Sequence, residues 1–335
     1  MKTIIMILNL FRVKEWYDSK IPMLISASYY LFVRYHVPFS PNSLFLLAVL
    51  ICFYSLFMAF GYIINDYADM EVDKLAGKHK VMHSMSAKMA LFIVIFTGIA
   101  GCLTVLVYRF DLIVLLLLTV IYFLGASYSA PPFRFKEKGV MGLIVSSSAQ
   151  RCMPLLLVFV LQNTGFDIWL VFWIVLSFLV GLRYILVHQY IDIENDRKSG
   201  VRTFTLKNEK ITIALIPFVF ITEIILNILL LIPVIKENLW LIIVLSFYLL
   251  LSIIRWRGVK IVFGQKPLYT YQQMPLEDFY NHYMPLLLSI IMTIYDVRWG
   301  FLIAVWAVFL AVTTVVHMSF PITFLIRSFK YRKKK

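Results

Sequence analysis

Residues 43–73 read SLFLLAVLICFYSLFMAFGYIINDYADMEVD, twenty-three residues without a charge that run straight into four acids. An α-helix rises about 1.5 Å per residue, so about 20 apolar residues cross a hydrocarbon core of roughly 30 Å. In lipid every backbone polar group must be satisfied inside the protein, and the run is far longer than a barrel strand of about ten residues. The stretch therefore predicts a transmembrane helix. Its acids, from Asp66 to Asp73, mark where that helix meets water.

The same ruler, carried outward, finds segments near 21–37, 89–108, 111–128, 141–161, 167–191, 211–234, 238–254 and 300–324, with a shorter apolar stretch at 280–295. Composition agrees. Hydrophobic residues make up 61% of the 335 and charged residues 15%, against about 25% charged in soluble domains. No hydrophilic stretch is long enough to bury a core of its own. The expected fold class is all-α: one polytopic membrane bundle of nine or ten helices over residues 1–335. Cys52, Cys102 and Cys152 fall inside apolar runs and read as small buried hydrophobes, not as a disulfide or zinc framework. Arg12, Lys14, Glu15 and Asp18 interrupt the start of the chain, so no cleavable signal peptide is expected.

Charge sets the orientation. Of the 32 lysines and arginines, 26 fall on the N-terminus, the connections 65–88, 129–140, 192–210 and 255–283, and the tail; Arg34, Arg109, Lys236 and Arg298 fall on the opposite set, and Arg151 and Arg183 within spans. The positive-inside rule places the first set in the cytoplasm. The tail, with Arg327, Lys330, Arg332, Lys333, Lys334 and Lys335, reaches the same side only after an even number of spans. That favours ten, with 280–295 crossing at least in part. The expected location is the cell membrane, with the acidic helix ends facing the cytoplasm. The net charge of +14 requires no nucleic acid, because basic loops beside anionic lipid account for it.

Self-comparison gives more. At a shift of 123 residues, Asn65-Asp-Tyr-Ala-Asp-Met-Glu-Val-Asp-Lys-Leu-Ala-Gly77 lies over His188-Gln-Tyr-Ile-Asp-Ile-Glu-Asn-Asp-Arg-Lys-Ser-Gly200. Tyr67/Tyr190, Asp69/Asp192, Glu71/Glu194, Asp73/Asp196 and Gly77/Gly200 coincide, and both copies end a long apolar run on the cytoplasmic side. The expectation is two four-helix pseudo-repeats, about 10–165 and 166–325, related by an axis along the membrane normal.

If each helix continues past the bilayer, Asp69 and Asp73 sit one turn apart, as do Asp192 and Asp196. Asn65 and Asp66 extend the first stripe, with His188 and Gln189 in the matching place of the second. Carboxylates gathered at a membrane boundary repel one another and are costly to desolvate, so a cation should neutralise them. Hard oxygen ligands without cysteine favour Mg²⁺, which keeps waters and shares its sphere with substrate phosphates. The competing reading is a solvated helix end whose acids pair with neighbouring lysines; the duplication speaks against it.

Asn65-Asp66-x-x-Asp69-x-x-x-Asp73 and Asp192-x-x-x-Asp196 resemble, in order and placement, the two aspartate-rich motifs of the UbiA superfamily of intramembrane prenyltransferases. Gly200-Val-Arg-Thr203 and the loop Tyr128-Ser-Ala-Pro-Pro-Phe-Arg-Phe-Lys136 also resemble family segments, and the likeness runs from about residue 10 to 255. Two features depart from the pattern. Lys78-His79-Lys80-Val81 stands where the family often has Arg-Pro, and the C-terminal third, with its 255–283 connection, exceeds the usual nine-helix plan.

The resemblance implies ionisation of a prenyl diphosphate to an allylic cation that a lipophilic or aromatic acceptor captures. Two Mg²⁺ between the clusters would act as Lewis acids and as a template. The expected metal ligands are Asn65, Asp69, Asp73, Asp192 and Asp196, and the catalytic acids are these aspartates with Asp66. Leaving-group charge needs fixed donors. Tyr128, Ser129, Arg134 and Lys136 lie at the level of the aspartates, with Lys136 the first choice and Arg134 next; the alternative for both is a plain positive-inside charge. Arg12 resembles the family's N-terminal diphosphate-binding arginine. Arg197 either grips diphosphate or holds Asp196, and His188 and Gln189 line the diphosphate end of the cavity. Glu71 and Glu194 face away as ionic partners of nearby Lys or Arg. Among the intramembrane groups Arg151, Gln150, Arg183, Glu223 and Asn227, a structural pair between Glu223 and one arginine is expected. Tyr269, Tyr271, Gln272 and Gln273 either cover the acceptor entrance or belong to an ordinary loop. Two alternatives remain open: a UbiA-type terpene cyclase, which quenches the cation internally, and a cation-coupled transporter. The gathering of acids at one face instead of the midplane argues against transport.

Overall fold

The computed structural model describes residues 2–75, 77, 80–165, 167–199, 201–263 and 274–317. The basic tail from 327 to 335, Tyr269, Tyr271, Gln272, Gln273, Lys78, His79 and Gly200 lie outside the described residues. Every described element is helical. In chain order they are α1 (Lys2–Leu10), α2 (Ile21–Arg34), α3 (Pro41–Ala68), α4 (Met70–Leu75), α5 (Ala87–Tyr108), α6 (Leu112–Ser129), α7 (Val140–Ser147), α8 (Met153–Leu161), α9 (Ile168–Ile191), α10 (Ile193–Ser199), α11 (Phe204–Lys207), α12 (Glu209–Glu237), α13 (Leu241–Phe263), α14 (Met274–Asp278), α15 (Met284–Tyr295) and α16 (Phe301–His317).

Among the described residues, six helices are long and apolar enough to cross a membrane: α3, α5, α6, α7 with α8, α9 and α12. Ile21–Arg34, Leu241–Ile254 and Val297–Val312 are shorter apolar helices. The stretch 280–295 belongs to a longer helical run, because α14, a π-helical turn at Phe279–Tyr283 and α15 follow one another directly. Large apolar side chains such as Phe92, Phe96 and Phe247 point outward, with 62%, 62% and 61% of their surface exposed. Such a surface suits lipid and not water.

The caps explain where the spans start. Ser40 and Ser43 cap α3 reciprocally, with Pro41 in its first turn. Asp111 accepts from the Val114 amide at the start of α6, and Asp167 from the Trp169 amide at the start of α9. Each satisfies a backbone donor that the first turn leaves unpaired.

The helix 140–161 carries a π turn at Ser148–Cys152 just before Pro154. Proline has no N–H for the carbonyl four residues earlier, and that carbonyl, Gln150, accepts the Tyr54 hydroxyl at 2.5 Å instead. The same device recurs later, where the π turn Phe279–Tyr283 precedes Met284-Pro285-Leu-Leu-Leu, a repeat of Met153-Pro154-Leu-Leu-Leu.

The chain forms two compact units. One comprises residues 1–28 and 40–226, the other residues 29–39 and 227–335. The second is held by its own contacts: Asp296 accepts the Phe39 amide at 3.0 Å, Trp306 donates to Tyr29, and Asn227 donates to Tyr280 at 2.6 Å. The first contains both acid motifs. Inside it α9 crosses α7 closely: a Cβ on Gly181 would stand 2.8 Å from the Cα of Ser147. Small residues permit such crossings in membranes. Arg183 on α9 and Glu223 on α12 are fully buried and joined at 2.7 Å, the structural pair expected from sequence. Its partner-for-partner balance is what makes two charges tolerable at that depth.

Candidate active site

Both motif helices break at the same place. α3 ends at Asp69 (φ −101°, ψ 5°) and α9 at Asp192 (φ −90°, ψ 5°), and the short α4 and α10 follow. The expectation of one continuous helix is corrected here. A residue near ψ 0° turns the chain, so each motif bends at its first repeated aspartate. The i,i+4 relation survives the bend, because the Asp73 amide still donates to the Asp69 carbonyl and the Asp196 amide to the Asp192 carbonyl, both at 2.8 Å.

The first motif is surrounded by cations. Asp66, only 3% exposed, accepts from Arg12 at 3.3 Å and Lys80 at 2.8 Å. Lys80 also reaches Asp73 at 2.5 Å, and His83 approaches the same carboxylate at 3.8 Å. Asp69 pairs with Arg134 at 3.2 Å and with Lys136. Asn65 accepts from the Ser129 hydroxyl at 2.8 Å and from Lys136 at 3.3 Å. Burial opposes the charge of Lys80, but Asp66 and Asp73 outweigh it and hold its pKa above the usual lysine value. For Lys136 burial prevails over Asp69 and keeps the pKa below that value.

The loop that delivers Arg134 and Lys136 lies against α7, where a Cβ on Gly142 would meet the Phe135 carbonyl at 2.6 Å. Arg134 adopts a left-handed backbone (φ 39°) before a 3₁₀ turn and pairs with Glu137 at 2.6 Å. Arg12 does the same (φ 49°) before Val13–Glu15 and pairs with Glu15 at 3.8 Å. The sequences match too: Arg12-Val-Lys-Glu15 and Arg134-Phe-Lys-Glu137. Left-handed geometry is costly for a residue with a Cβ, and both arginines that adopt it grip first-motif acids.

The second motif is more open. Asp192 pairs with His188 at 3.3 Å, and the His188 side chain is 71% exposed. Asp196 accepts the Thr203 hydroxyl at 3.1 Å, and Thr203 also caps α11. Gln189 is buried and accepts the Thr205 amide, so its contact is with the α11 turn and not with the expected cavity lining. Arg197 turns away from Asp196 to Glu194 at 2.7 Å, where both side chains are exposed. Glu194 is thus the ionic partner expected of it.

Tyr128 joins the two motifs. Its phenol lies within electrostatic range of both Asp69 and Asp196. Beside the first motif opens a cavity of about 350 Å³ lined by Arg12, Lys14, Glu15, Asp66 and Lys80. Sequence reasoning missed Lys80 and His83 as partners of the first motif, although the repeated Arg-x-Lys-Glu turn was readable and points to the same cationic collar.

Among the described residues no three acidic, cysteine or histidine side chains converge on one point. The carboxylates' charge is met by Arg12, Lys80, Arg134 and Lys136. This donor set still fits a hard cation, since Mg²⁺ takes one or two carboxylates and fills its sphere with phosphates and water, and the collar suits the phosphates.

Fold and site together define a multi-helix membrane protein with a duplicated acid motif and a cationic collar around its first copy. The model of the UbiA prenyltransferase family matches residues 21–274, and the chain belongs to that family. It is a multi-pass membrane protein. The chain is similar in fold to a UbiA homologue from Archaeoglobus fulgidus bound to Cd²⁺ (TM-score 0.56, 16% identity, covering 89% of this chain and 98% of that one). The same homologue bound to DMAPP and Mg²⁺ gives a TM-score of 0.51 at 17% identity, covering 89% of this chain and 99% of that one. A digeranylgeranylglyceryl phosphate synthase gives 0.52 at 17% identity, covering 98% of this chain and all (100%) of that one. No curated protein matches the sequence.

Proposed function

We infer that the chain transfers a prenyl group from a prenyl diphosphate to an acceptor, with the diphosphate held between the two acid motifs on the cytoplasmic side of a ten-span bundle. The observation that carries this reading is the set of donors gathered on the first motif, Arg134 and Lys136 on Asp69 and Ser129 on Asn65, with Tyr128 within electrostatic range of Asp69 and of Asp196 in the other motif. On this reading acids of both copies border one space, and cations stand beside it. A similar-fold UbiA homologue is bound to DMAPP and Mg²⁺, which supports the same donor class and a divalent cation here.

On this reading Asn65, Asp69, Asp73, Asp192 and Asp196 hold the metal, two ions in all, and Asp66 belongs to the same acid face. Mg²⁺, when bound, supplies Lewis-acid neutralisation of the departing diphosphate. The chain's own groups do the rest. Lys136, Arg134 and Arg12 donate to phosphate oxygens, fixed before reaction by Asp69, Glu137 and Asp66, so little reorganisation is needed as charge develops. Tyr128 and Ser129 add neutral donors on the same side. The apolar spans exclude water from the allylic cation.

The test is diphosphate release by purified protein with Mg²⁺, farnesyl or geranylgeranyl diphosphate and a panel of acceptors. Release should depend on Mg²⁺ and fall by about 10³-fold, on the scale of losing an electrostatic contact to developing charge, in both Asp69→Ala and Asp192→Ala. Unchanged release in either variant would overturn the two-motif reading.

A further inference from the structure

The two Arg-x-Lys-Glu turns that grip the first motif are each attached to apolar surface that the protein leaves uncovered. α1 runs into the first turn. Between Lys2 and Arg12 the sequence holds no charge, and Ile4, Ile5, Met6, Ile7 and Leu8 are 42% to 63% exposed. Five residues in a row pass right round a helix of about 3.6 residues per turn, so no side of this stretch rests on protein. Leu10, the last helical residue, is buried, and α1 touches the turn Val81–Ser84. Leu8, Asn9 and Leu10 line the cavity beside Arg12, Asp66 and Lys80. α1 is therefore fixed at the level where α3 leaves the membrane. At nine residues, about 14 Å, it has less than half the length of a span.

Aromatic rings tie the second turn to lipid-facing surface. Phe133 stands edge-on to Phe123 of the span α6, with ring centres 5.4 Å apart, and stacks on Phe135 at 5.6 Å. Phe123 and Phe133 are both exposed, and so are Val140, Met141 and Ile144 in the first turns of α7. Arg134 stands between two of these rings in the sequence.

Apolar surface is driven out of water in proportion to its area, and contiguous patches of it mark contact with a membrane or a partner. Here the medium is already defined, because both patches lie where the spans α3 and α6 end. The charges fit as well. Lys14 and Lys138 are exposed, and among the described residues neither has a carboxylate partner; the Lys138 ammonium lies 5.1 Å from the Phe135 ring centre. Glu15 and Glu137, the acids of the two turns, are engaged by Arg12 and Arg134. The lysines are left to set the sign of the outer surface. Apolar side chains with lysines beside them are the composition that seats a segment on anionic lipid.

We propose that α1 and the segment 133–144 dock the two collar turns onto anionic phospholipid. Their apolar side chains enter the acyl layer just below the headgroups, and Lys14 and Lys138 meet lipid phosphates. Arg12 and Arg134 thereby hold their acids from a scaffold that is part lipid. The inference stands on the membrane fold and needs neither donor nor metal, so it stands or falls independently of the transferase reading.

The test uses the unmodified full chain in nanodiscs at one chain per disc. The discs hold phosphatidylglycerol or phosphatidylcholine with a photoactivatable diazirine either near the top of an acyl chain or midway along it, and mass spectrometry maps the labelled peptides. The midway probe should mark the α5 peptide that contains Phe92 and Phe96. The upper probe should mark the peptide with Ile4, Ile5, Met6, Ile7 and Leu8 and the peptide with Phe133 and Met141. Phosphatidylglycerol should label both of these about fivefold more than phosphatidylcholine, the scale of one lysine beside an anionic surface. Lys14→Gln should abolish that preference at the first peptide alone and Lys138→Gln at the second alone, while labelling itself persists. An α5 peptide that is labelled beside two unlabelled anchor peptides would overturn the proposal, since the patches would then face water. Label that vanishes from them when two chains share a disc would overturn it too, by assigning the surface to a second copy. Equal labelling by the two lipids would do the same, because the lysines would not select the headgroup. These outcomes are read on the unmodified chain, so they decide even if a variant fails to fold.

Discussion

The two acid motifs are near-copies in sequence and bend at the same residue, yet among the described residues their surroundings differ. Asp66, Asp69 and Asp73 of the first are met by Arg12, Lys80, Arg134 and Lys136, and Asp66 and Asp73 are buried. Asp192 of the second meets an exposed histidine, and the nearby Arg197 is engaged with Glu194. The difference arises in what flanks each copy. Two Arg-x-Lys-Glu turns flank the first motif, whereas Gln189 and Thr203 tie the second to the small helix α11. A duplicated motif is therefore not a duplicated site. On the proposed reading the first copy supplies the anion-binding shell and the second adds acid to the opposite wall.

That division is most exposed at Lys136. Its ammonium touches Asn65 and Asp69 and is held ready for a phosphate oxygen on the proposed reading. Lys136→Ala should lower the turnover number by about 100-fold, the scale of losing one preorganised donor to developing charge. Steady-state diphosphate release measures it. A change confined to KM would mean that Lys136 grips donor and transition state equally, and the first copy would then be a binding shell only.

How much of this was legible from sequence depends on range. The long spans were, because twenty apolar residues leave lipid-embedded helix as the sole outcome and the motif needs no tertiary information. The bend at Asp69 and Asp192 was not, since helical periodicity says nothing of a single residue near ψ 0°. The Glu223–Arg183 pair was foreseen by charge at depth, while its choice over Arg151 depended on how α9 and α12 pack. Of the two expectations for Arg197, the hold on Asp196 rested on adjacency and is not what the structure shows: next to Asp196 in sequence, it reaches Glu194 one turn back. Lys80 stood in view as a departure from the family pattern, but its bridge from Asp66 to Asp73 requires the chain to fold back after α4.

Lys80 sharpens the comparison through stability. It neutralises two carboxylates whose side chains are 4% and 8% exposed. Lys80→Ala leaves them short of a partner and should cost about 1–3 kcal/mol, the penalty for a buried polar group that loses its hydrogen bond. Its folded pKa is raised, so its contribution is complete below the usual lysine value and is lost as pH rises through the raised one. The gap in thermal midpoint between wild type and variant should thus be constant from pH 7 to about 10 and close above that. A gap that instead widened with pH would show that Lys80 is not the counter-ion of the first motif.

The smallest effect is expected at Arg197, and it is the one that could undo the contrast. Its guanidinium and the Glu194 carboxylate are 56% and 67% exposed, so water screens the pair. Exposed pairs of this kind contribute little to stability. If the pair also lies off the diphosphate, Arg197→Ala should change diphosphate release by no more than about threefold and leave the thermal midpoint unmoved. The comparison with Lys136→Ala is then direct, two basic side chains beside equivalent acids with effects about thirtyfold apart. A loss at Arg197 as large as that at Lys136 would mean that its side chain leaves Glu194 to join the reaction. The second copy would then own a cationic shell, and the asymmetry between the motifs would belong to one conformation and not to the chemistry.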